Sequence, residues 1–283
     1  MTLDDLTLHP RTMARVRQYA GHLPQGLVID GPIGSGVLTV AKALSASIMS
    51  PEFVIKPKKK VKTEWVIDEK EGSVVIDDIR QLYEQTRARQ PGKQVYIVDT
   101  GEKSMTIPAQ NAFLKLLEEP RDGIHFIIVT HQPDQLLQTI LSRSQRLSLL
   151  AVTDEQTTGL IELLGVTDAT KRARLAFVGR GRPALIKRLA EDETLYETRV
   201  KIMSDAKTML GNDSNEKFRI IHRYKDDRTG AVTLVDDMNH QLRTIIHSQP
   251  DARLAQQIDN YLHVRSRIAA GGNIRLQLAA GVL

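Results

Sequence analysis

The chain of 283 residues contains no cysteine. It therefore cannot form a disulfide, supply a thiol nucleophile or hold zinc through cysteine ligands. It also lacks an apolar run of the roughly 18–20 residues that a membrane span requires. Its first residues, MTLDD, are acidic where a signal peptide would be basic. We therefore expect a globular cytoplasmic protein with no membrane partner and no metal.

An excess of positive charge is present but small. The chain has 39 Lys and Arg residues against 34 Asp and Glu residues, a net charge of +5. Such a surface permits contact with nucleic acid without requiring it. The densest basic run is KPKKKVK at residues 56–62, close to the single tryptophan, Trp65. Short lysine runs are usually solvated loops, and we favour that interpretation over a nuclear-import signal.

Hydrophobic periodicity divides the chain into two parts. The first half alternates apolar runs with amphipathic segments, a pattern typical of an α/β sheet with flanking helices. Beyond Thr153 the periodicity is helical almost to the end, with breaks at 179–183, 211–213 and 271–272. The length suggests two or three domains. The predicted strands are Leu27–Asp30, Val95–Asp99, Ile124–Thr130 and Arg146–Leu149.

Residues 31–39, GPIGSGVLT, follow the first predicted strand and precede a predicted helix over Val40–Met49. A functional phosphate-binding loop reads GxxxxGK[ST], in which the Lys reaches the terminal phosphates and the hydroxyl holds Mg²⁺. Here Val37 stands at the Lys position and Leu38 at the hydroxyl position. The sequence therefore predicts a loop that keeps its shape but has lost the chemistry of ATP hydrolysis. The retained glycines are Gly31, Gly34 and Gly36.

A second motif, VYIVDTGE at residues 95–102, is an apolar strand that ends in Asp99. In phosphate-loop ATPases such a strand delivers the Walker B carboxylate to Mg²⁺, and a Glu just after it activates water. Here Thr100 follows Asp99, and Glu102 comes two residues later. Two interpretations stay open, a Walker B remnant at Asp99 with a residual metal role and a carboxylate that only caps the strand end.

These motifs occur together with a longer resemblance. Residues 99–120, ending AQNAFLKLLEEP, resemble the Walker B strand and following helix of the bacterial clamp-loader AAA+ subunits. The resemblance runs over most of the chain, and on these motifs the chain is identified as a member of that family. Further matches are FIIVT at 126–130 to the sensor-1 strand, TILSRS at 139–144 to the Ser-Arg-Cys motif, residues 179–185 to the sensor-2 segment and NIRLQL at 273–278 to the last collar helix.

The resemblance implies three domains: an AAA+ α/β module at residues 1–150, a small helical lid at 151–206 and an all-α collar at 207–283. The damaged loop favours the delta-prime type over the ATP-hydrolysing gamma/tau type. Such a subunit is not an enzyme by its own site and needs no cofactor. The zinc module common in this family is absent, and the Lys-rich segment 50–73 takes its place.

The implied function is to close a hetero-oligomeric ring with gamma/tau-type and delta-type subunits. That ring loads a sliding clamp onto primed DNA for DNA polymerase III. Two alternatives remain open. One is an active gamma/tau-type ATPase with an atypical site, and the other is a DNA-binding scaffold without a clamp-loading role.

The resemblance also assigns expected roles to individual residues. In the motif Ser142, Arg143, Ser144, the arginine is the expected arginine finger, which acts in trans on a neighbour's nucleotide. The alternative for Arg143 is a salt bridge within its own subunit at the end of a predicted helix over Asp134–Leu141. Arg182 occupies the sensor-2 position, where an interdomain contact is favoured because no nucleotide is expected.

Three further expectations concern surfaces. His131, at the sensor-1 polar position, is expected to make a simple hydrogen bond in a loop. Arg80, on a predicted helix over Ile76–Arg89, is a candidate phosphate contact on DNA, alone or with Arg87 and Arg89. The C-terminal segment has more apolar residues than a small solvated domain needs, which indicates an oligomer interface. Those apolar residues are Ile258, Leu262, Ile268, Leu276 and Leu278.

Overall fold

The computed structural model describes residues 2–87, 92–119 and 121–282. They form two compact units, one extending to Ala190 and the other beginning at Glu191. The boundary lies within the predicted lid, 151–206. The division into module, lid and collar stays a prediction.

The first unit begins with an alternation of helices and strands. Its elements to the end of the sheet are α1 (Pro10–Gly21), β1 (Gly26–Asp30), α2 (Val37–Ser47), β2 (Glu52–Ile55), β3 (Lys58–Val61), β4 (Glu64–Ile67), α3 (Ile76–Arg87), β5 (Gln94–Asp99), α4 (Ile107–Glu118), β6 (Ile124–Thr130), α5 (Gln138–Leu141) and β7 (Gln145–Ser148). Three helices complete the unit, namely α6 (Asp154–Leu163), α7 (Ala169–Gly179) and α8 (Pro183–Glu191).

Five of the strands form one sheet in the order β2-β5-β6-β1-β7, and every neighbouring pair is parallel. Because β1 lies between β6 and β7, the loop that follows β1 is flanked by the carboxyl ends of both neighbours. In parallel α/β sheets, ligands bind at this edge. The expected α/β module with a parallel sheet and flanking helices is confirmed.

Both faces of this sheet are covered by apolar side chains. Along β1, Leu27 and Ile29 belong to a core shared with α1 and α2, whereas Val28 belongs to a core on the opposite face. That second core contains Phe113 and Ile140. A parallel sheet buried on both faces requires nearly continuous apolar strands, and for this reason the central strands were readable from the sequence.

The four predicted strands are confirmed, with small shifts at their ends. The interpretation of the basic run at residues 56–62 as a solvated loop is wrong, because Lys58–Val61 form β3. The wider Lys-rich segment 50–73 contains three strands. It holds β2, which joins the parallel sheet at β5, and an antiparallel hairpin of β3 and β4. Lysine is rare in strands because it gains little from packing on a pleated surface. The exposed β3 therefore carried no apolar signal.

Two predicted helices also differ in extent. The helix after the phosphate loop begins at Val37 rather than Val40. The predicted helix over Asp134–Leu141 is instead a 3₁₀ turn at Pro133–Gln135, followed by the single turn of α5. The predicted helix over Ile76–Arg89 corresponds to α3, which ends at Arg87, and Arg89 lies outside the described residues.

The second unit is entirely helical in its described residues. Its core combines apolar side chains of all its helices, and Ala206, Leu234 and Ile268 are buried within it. A buried ion pair joins Arg199 to Asp237, with one N–H···O distance of 2.6 Å. The helices of this unit are α9 (Glu193–Met209), α10 (Ser214–Arg223), α11 (Arg228–Ser248), α12 (Ala252–Ala269) and α13 (Ile274–Val282).

The apolar C-terminal residues divide into two groups. Ile268 and Leu278 are buried in the unit's own core, and Ile258 packs against that core. Leu262 and Leu276 are exposed. Three of the five apolar residues therefore pack within the unit itself. Only the other two, which are exposed, support the predicted oligomer interface.

Candidate functional site

The segment from β1 through α2 consists of a strand, a glycine-containing loop and a helix, which is the geometry of a phosphate-binding loop. Gly34 and Gly36 have φ angles of +89° and +90°, values that L side chains rarely adopt. Gly36 caps the N-terminus of α2 in the left-handed conformation. The first N–H groups of a helix have no partner within the helix and attract anions. The loop shape expected from the sequence is thus present.

The side chains at the Lys and hydroxyl positions of the motif pack into or against the hydrophobic core. Val37 is 3% exposed and belongs to the hydrophobic core beneath the sheet. Leu38 is half-buried and packs against the same core. Neither carries a group that can bind phosphate or Mg²⁺. The Lys and hydroxyl positions of the motif therefore contribute to folding.

A cavity of about 210 Å³ lies in front of this loop. One side is formed by loop residues from Ile33 to Thr39, and the other contains Asp99, Glu102 and His131. Glu69, from the turn after β4, and Arg188, on α8, also line it. Three acidic residues thus line a space where a nucleotide would place additional negative charge.

Asp99 is the most buried of these acids, with 6% exposure at the end of β5. Burial raises the pKa of Asp99, and the charge of Glu69 adds to that rise, whereas the Gly101 N–H, His131 and Lys56 oppose it. Its Oδ1 accepts a hydrogen bond of 3.0 Å from the main-chain N–H of Gly101. The carboxylate thus caps its own turn. A residual metal role for Asp99 stays a prediction.

His131 follows β6 at the sensor-1 position. Its Nδ1 is 2.8 Å from the carbonyl oxygen of Gly31. A carbonyl only accepts, so Nδ1 must carry the proton and donate it. The ring ties the end of β6 to the first residue of the phosphate loop, in agreement with the expected loop hydrogen bond.

The start of α8 covers the same loop. The main-chain N–H of Leu185 donates to the carbonyl of Gly34 at 3.0 Å. A Cβ placed on Gly34 would lie only 2.7 Å from the Cβ of Leu185. Arg182, at the sensor-2 position, donates to the carbonyls of Val178, Gly179 and, at 3.4 Å, Ile33. These hydrogen bonds direct the guanidinium to backbone carbonyls of α7 and of the phosphate loop.

Arg143 stands between α5 and β7, and β7 is an edge strand of the sheet. One guanidinium nitrogen donates to the Thr139 carbonyl at 3.1 Å, and the other is 2.9 Å from Oε1 of Glu118 on α4. The side chains are 39% and 48% exposed. Exposed ion pairs of this kind contribute about 0–1 kcal/mol. The salt bridge within the subunit is therefore formed, but it is weak enough to open.

The serines beside this arginine have different surroundings. The Ser142 hydroxyl donates to the Thr139 carbonyl at 3.1 Å and so helps to end α5. The Ser144 hydroxyl is buried and has no hydrogen-bond partner among the described residues. It lies against Gly26 at the start of β1, where a Cβ would come within 3.0 Å of it. Ser144 thus fits a confined space and faces away from solvent.

Arg80 lies on the exposed side of α3 and pairs with Asp77 one turn earlier, at 3.1 Å. Arg87 pairs with Glu84 at 3.7 Å. Both remain largely solvent-exposed and accessible to a phosphate, and their contact with DNA stays a prediction.

Two groups near the loop were missed from the sequence. Asp30, at the end of β1, accepts two hydrogen bonds from Arg146 at 2.7 and 3.1 Å and one from Ser148. Glu69 enters the cavity from the hairpin segment, where its carbonyl accepts the N–H of Glu102. The two partners in each contact are 30 or more residues apart in the sequence. No local sequence pattern therefore predicts the contact.

Among residues 2–87, 92–119 and 121–282, no helix is long and apolar enough for a bilayer crossing. Within those ranges no three His, Asp or Glu side chains cluster in a way that could hold a metal ion.

Comparison with known families gives a match across the α/β module. Residues 13–153 match the family model described as DNA polymerase III, delta subunit. Among curated proteins, the DNA polymerase III subunit delta' of Pseudomonas aeruginosa is 31% identical over 132 residues, covering 45% of this chain and 37% of that protein. The subunit delta' of Bacillus subtilis is 44% identical over 55 residues, covering 19% and 16%. The aligned regions thus span well under half of each relative.

Among solved structures, a DNA polymerase III gamma subunit-related protein of Thermotoga maritima superposes with a TM-score of 0.51. The match covers 96% of this chain and 97% of that one at 18% sequence identity. At this identity the likeness concerns the fold alone. The matched region extends beyond the α/β module into the helical C-terminal part of this chain.

Proposed function

As this chain belongs, through residues 13–153, to the DNA polymerase III delta-subunit family, we propose that it is a clamp-loader subunit of the delta-prime type that does not hydrolyse ATP. It would close a ring with ATP-binding gamma/tau-type subunits and a delta-type subunit in the cytoplasm. The ring would open a sliding clamp and place it on primed DNA. The chain would supply Arg143 to the nucleotide of its neighbour.

The observation that carries this proposal is the phosphate loop. Its glycine conformations and helix start are intact, but Val37 is buried in the core at the position of the Lys. Phosphoryl transfer depends on cations that neutralise charge developing on the γ-phosphate. Asp99, Glu69 and Glu102 line the cavity and add repulsion, against the positive charge of Arg188. This arrangement weighs against an active gamma/tau-type ATPase.

The surroundings of Arg143 support a role outside its own subunit. A guanidinium offers a planar fork of N–H donors that matches a phosphate, and it stays charged at all relevant pH values. Arg143 lies beside the edge strand β7, and its contacts include the Thr139 carbonyl and an ion pair with the half-exposed Glu118. The γ-phosphate of a neighbour's nucleotide is a stronger partner for a guanidinium than one exposed carboxylate. When the neighbouring subunit docks, Arg143 would therefore leave Glu118 and bind that phosphate.

The test is the ATPase rate of the assembled complex carrying Arg143→Ala. We expect the variant to assemble normally and to lower the ATPase stimulated by clamp and DNA. Arginine fingers are worth about 10³–10⁵ in rate, but only the one site facing this subunit would be affected, so the loss should be partial. Arg143→Lys should rescue incompletely, because an ammonium lacks the fork.

Glu118→Gln provides the matched control, because it breaks the same ion pair and leaves the arginine in place. We expect its complex to hydrolyse ATP at least as fast as the parent complex. If Arg143→Ala at matched assembly leaves ATPase and clamp-loading rates unchanged, the arginine does not act in trans. If Glu118→Gln and Arg143→Ala lower the rates equally, the ion pair itself is what matters.

A further inference from the structure

The hairpin of β3 and β4 presents an exposed aromatic ring beside unpaired positive charge. In its register Lys60 is directly opposite Trp65, and Lys58 is opposite Ile67. Paired residues on an antiparallel ladder place their side chains on the same face. Trp65 is 52% exposed, and Ile67 and Val61 are also exposed. Exposed apolar side chains grouped on one hairpin are typical of a surface that contacts a partner.

The lysines of residues 56–62 fall into two sets. Those nearer its base are engaged with acids: Lys56 with Glu69, Lys58 with Asp78 and Lys59 with Glu71. Lys60 and Lys62, nearer the turn, form no ion pair within the described part of the chain. The engaged lysines fasten the hairpin to its surroundings, because Asp78 belongs to α3 and the two glutamates belong to the turn after β4. The turn end is left with a ring and two ammonium groups.

We propose that this hairpin tip, defined by Lys60, Lys62 and Trp65, binds single-stranded nucleic acid. Single strands are held by aromatic side chains on which bases stack, together with cations that contact the backbone phosphates. Lys60 and Trp65 are cross-strand neighbours, so the two kinds of contact can be made on adjacent parts of one nucleotide. A duplex keeps its base faces stacked inside and offers the ring nothing comparable.

The site is separate from the phosphate loop and from Arg143, and it does not depend on the proposed function. A chain that failed to act in a clamp loader could still bind a single strand through this tip. In a clamp loader the same contact would favour the unpaired template beside a primer.

The direct experiment uses the fluorescence of the full chain, whose single tryptophan is Trp65. The probe is an oligothymidylate of about 20 nucleotides, titrated at about 50 mM salt. We expect saturable quenching, because a stacked base lies against the ring. A duplex of equal length should quench much less. Poly-glutamate of matched charge should not quench, and equal quenching by poly-glutamate would overturn the assignment to nucleic acid in favour of an acidic protein.

Variants measured by anisotropy of a labelled oligothymidylate separate ring from charge. Trp65→Ala should weaken binding about tenfold or more, and Trp65→Phe should weaken it less, because a phenyl ring still stacks. Lys60→Gln should lower the slope of log affinity against log salt by about 0.7, the value per neutralised phosphate of a single strand. Lys60→Arg should bind like the parent chain, since the charge is kept.

Lys201→Gln, at an exposed lysine of α9, is the matched control for loss of one positive charge. It should change neither affinity nor slope. The proposal is overturned if the oligothymidylate causes no quenching, or if Lys60→Gln and Lys201→Gln have the same effect. Unchanged binding by Trp65→Ala would exclude stacking and leave only general attraction between opposite charges.

Discussion

Val37 is a single side chain at which folding and catalysis require opposite chemistry. A lysine there must reach phosphate, whereas the valine is inserted between the loop and the sheet. The Cγ1 atom of Val37 would lie 3.3 Å from a Cβ placed on Gly31, so the valine closes the space behind the loop. A well-packed position of this kind stabilises the unit but offers a nucleotide nothing.

We expect the isolated chain to show no saturable ATP binding up to roughly millimolar ATP, the range of a very weak ligand. It should also show no Mg²⁺-dependent turnover. The reason is the absence of both the terminal-phosphate cation and the Mg²⁺ hydroxyl, at Val37 and Leu38. Calorimetric titration with Mg-ATP is the measurement, and micromolar affinity with turnover would contradict this prediction.

Asp99 allows a prediction for stability. Its pKa is raised mainly by burial and further by Glu69. When an acid's pKa is higher in the folded state, the folded state binds its proton more tightly than the unfolded state does. The free energy of unfolding then falls as the pH rises between the pKa of the unfolded state and the higher pKa of the folded state, and the whole cost is present above both. Asp99→Asn should therefore stabilise the chain at pH 7.

The gain should shrink as the pH falls towards about 3.9, the ordinary aspartate pKa, because the carboxyl group then becomes neutral in both states. The asparagine oxygen can still accept from the N–H of Gly101. Urea denaturation at several pH values measures the effect. Asp122→Asn, at an exposed acid before β6, should change stability by less than about 0.5 kcal/mol. A gain for Asp99→Asn that does not depend on pH would rule out this electrostatic origin.

At the scale of elements, the phosphate loop and the start of α8 form one packed unit. Gly34 combines a positive φ angle with a close approach to Leu185, and the N–H of Leu185 donates to the Gly34 carbonyl. The contact with α8 therefore helps to hold the loop in its observed shape.

Gly34→Ala should cost about 1–3 kcal/mol, from backbone strain and from the clash with Leu185. Gly165→Ala is the matched control, since Gly165 also has a positive φ angle, +72°, but nothing lies within 4 Å of its Cβ position. Thermal or urea denaturation of both variants isolates the steric part as their difference. Equal losses would show that α8 does not pack tightly on the loop.

The hairpin is an element of a different kind. Its exposed strands lie outside the five-stranded sheet, and side-chain ion pairs from Lys56, Lys58 and Lys59 reach the surrounding chain. The turn that follows β4 brings Glu69 to the nucleotide cavity. This one segment thus contributes an acidic residue to the cavity beside the phosphate loop and a basic, aromatic tip to the surface.

At the scale of the whole molecule, the chain divides between Ala190 and Glu191. Helix α9 belongs to the second unit, because Ala206 and Met209 are buried in its core. A chain cut after Met209 would carry α9 without the helices that cover it. A cut after Ala190 instead separates the units at their boundary.

We expect the fragment ending at Ala190 to fold cooperatively, because both faces of its sheet are covered within the first unit. It should not join a complex with gamma/tau-type and delta-type subunits, since the predicted collar is missing. Circular dichroism and size-exclusion chromatography with those partners measure the two properties. The fragment ending at Met209 should be less stable or aggregate, and co-elution of the shorter fragment with the partners would refute the collar's role in assembly.

Local properties of this protein were determined by its sequence. Apolar strands mark a parallel sheet because both of its faces are buried, and glycines at fixed spacing mark the loop because only they tolerate its φ angles. The replacement of the motif's Lys by Val37 and of its hydroxyl residue by Leu38 is likewise evident from the positions of these residues in the motif. The motif around Arg143 placed this arginine after a predicted helix and before the last predicted strand of the module.

The tertiary structure alone decided which groups meet. Glu118 reaches Arg143, Leu185 covers Gly34 and Glu69 enters the cavity of Asp99 because sheet order and helix packing bring distant segments together. Such contacts leave no periodicity in the chain, since each depends on the path of every element between the partners. The lysine-rich hairpin stayed hidden for a related reason: its strands are exposed, so their residues were not chosen to fill a core.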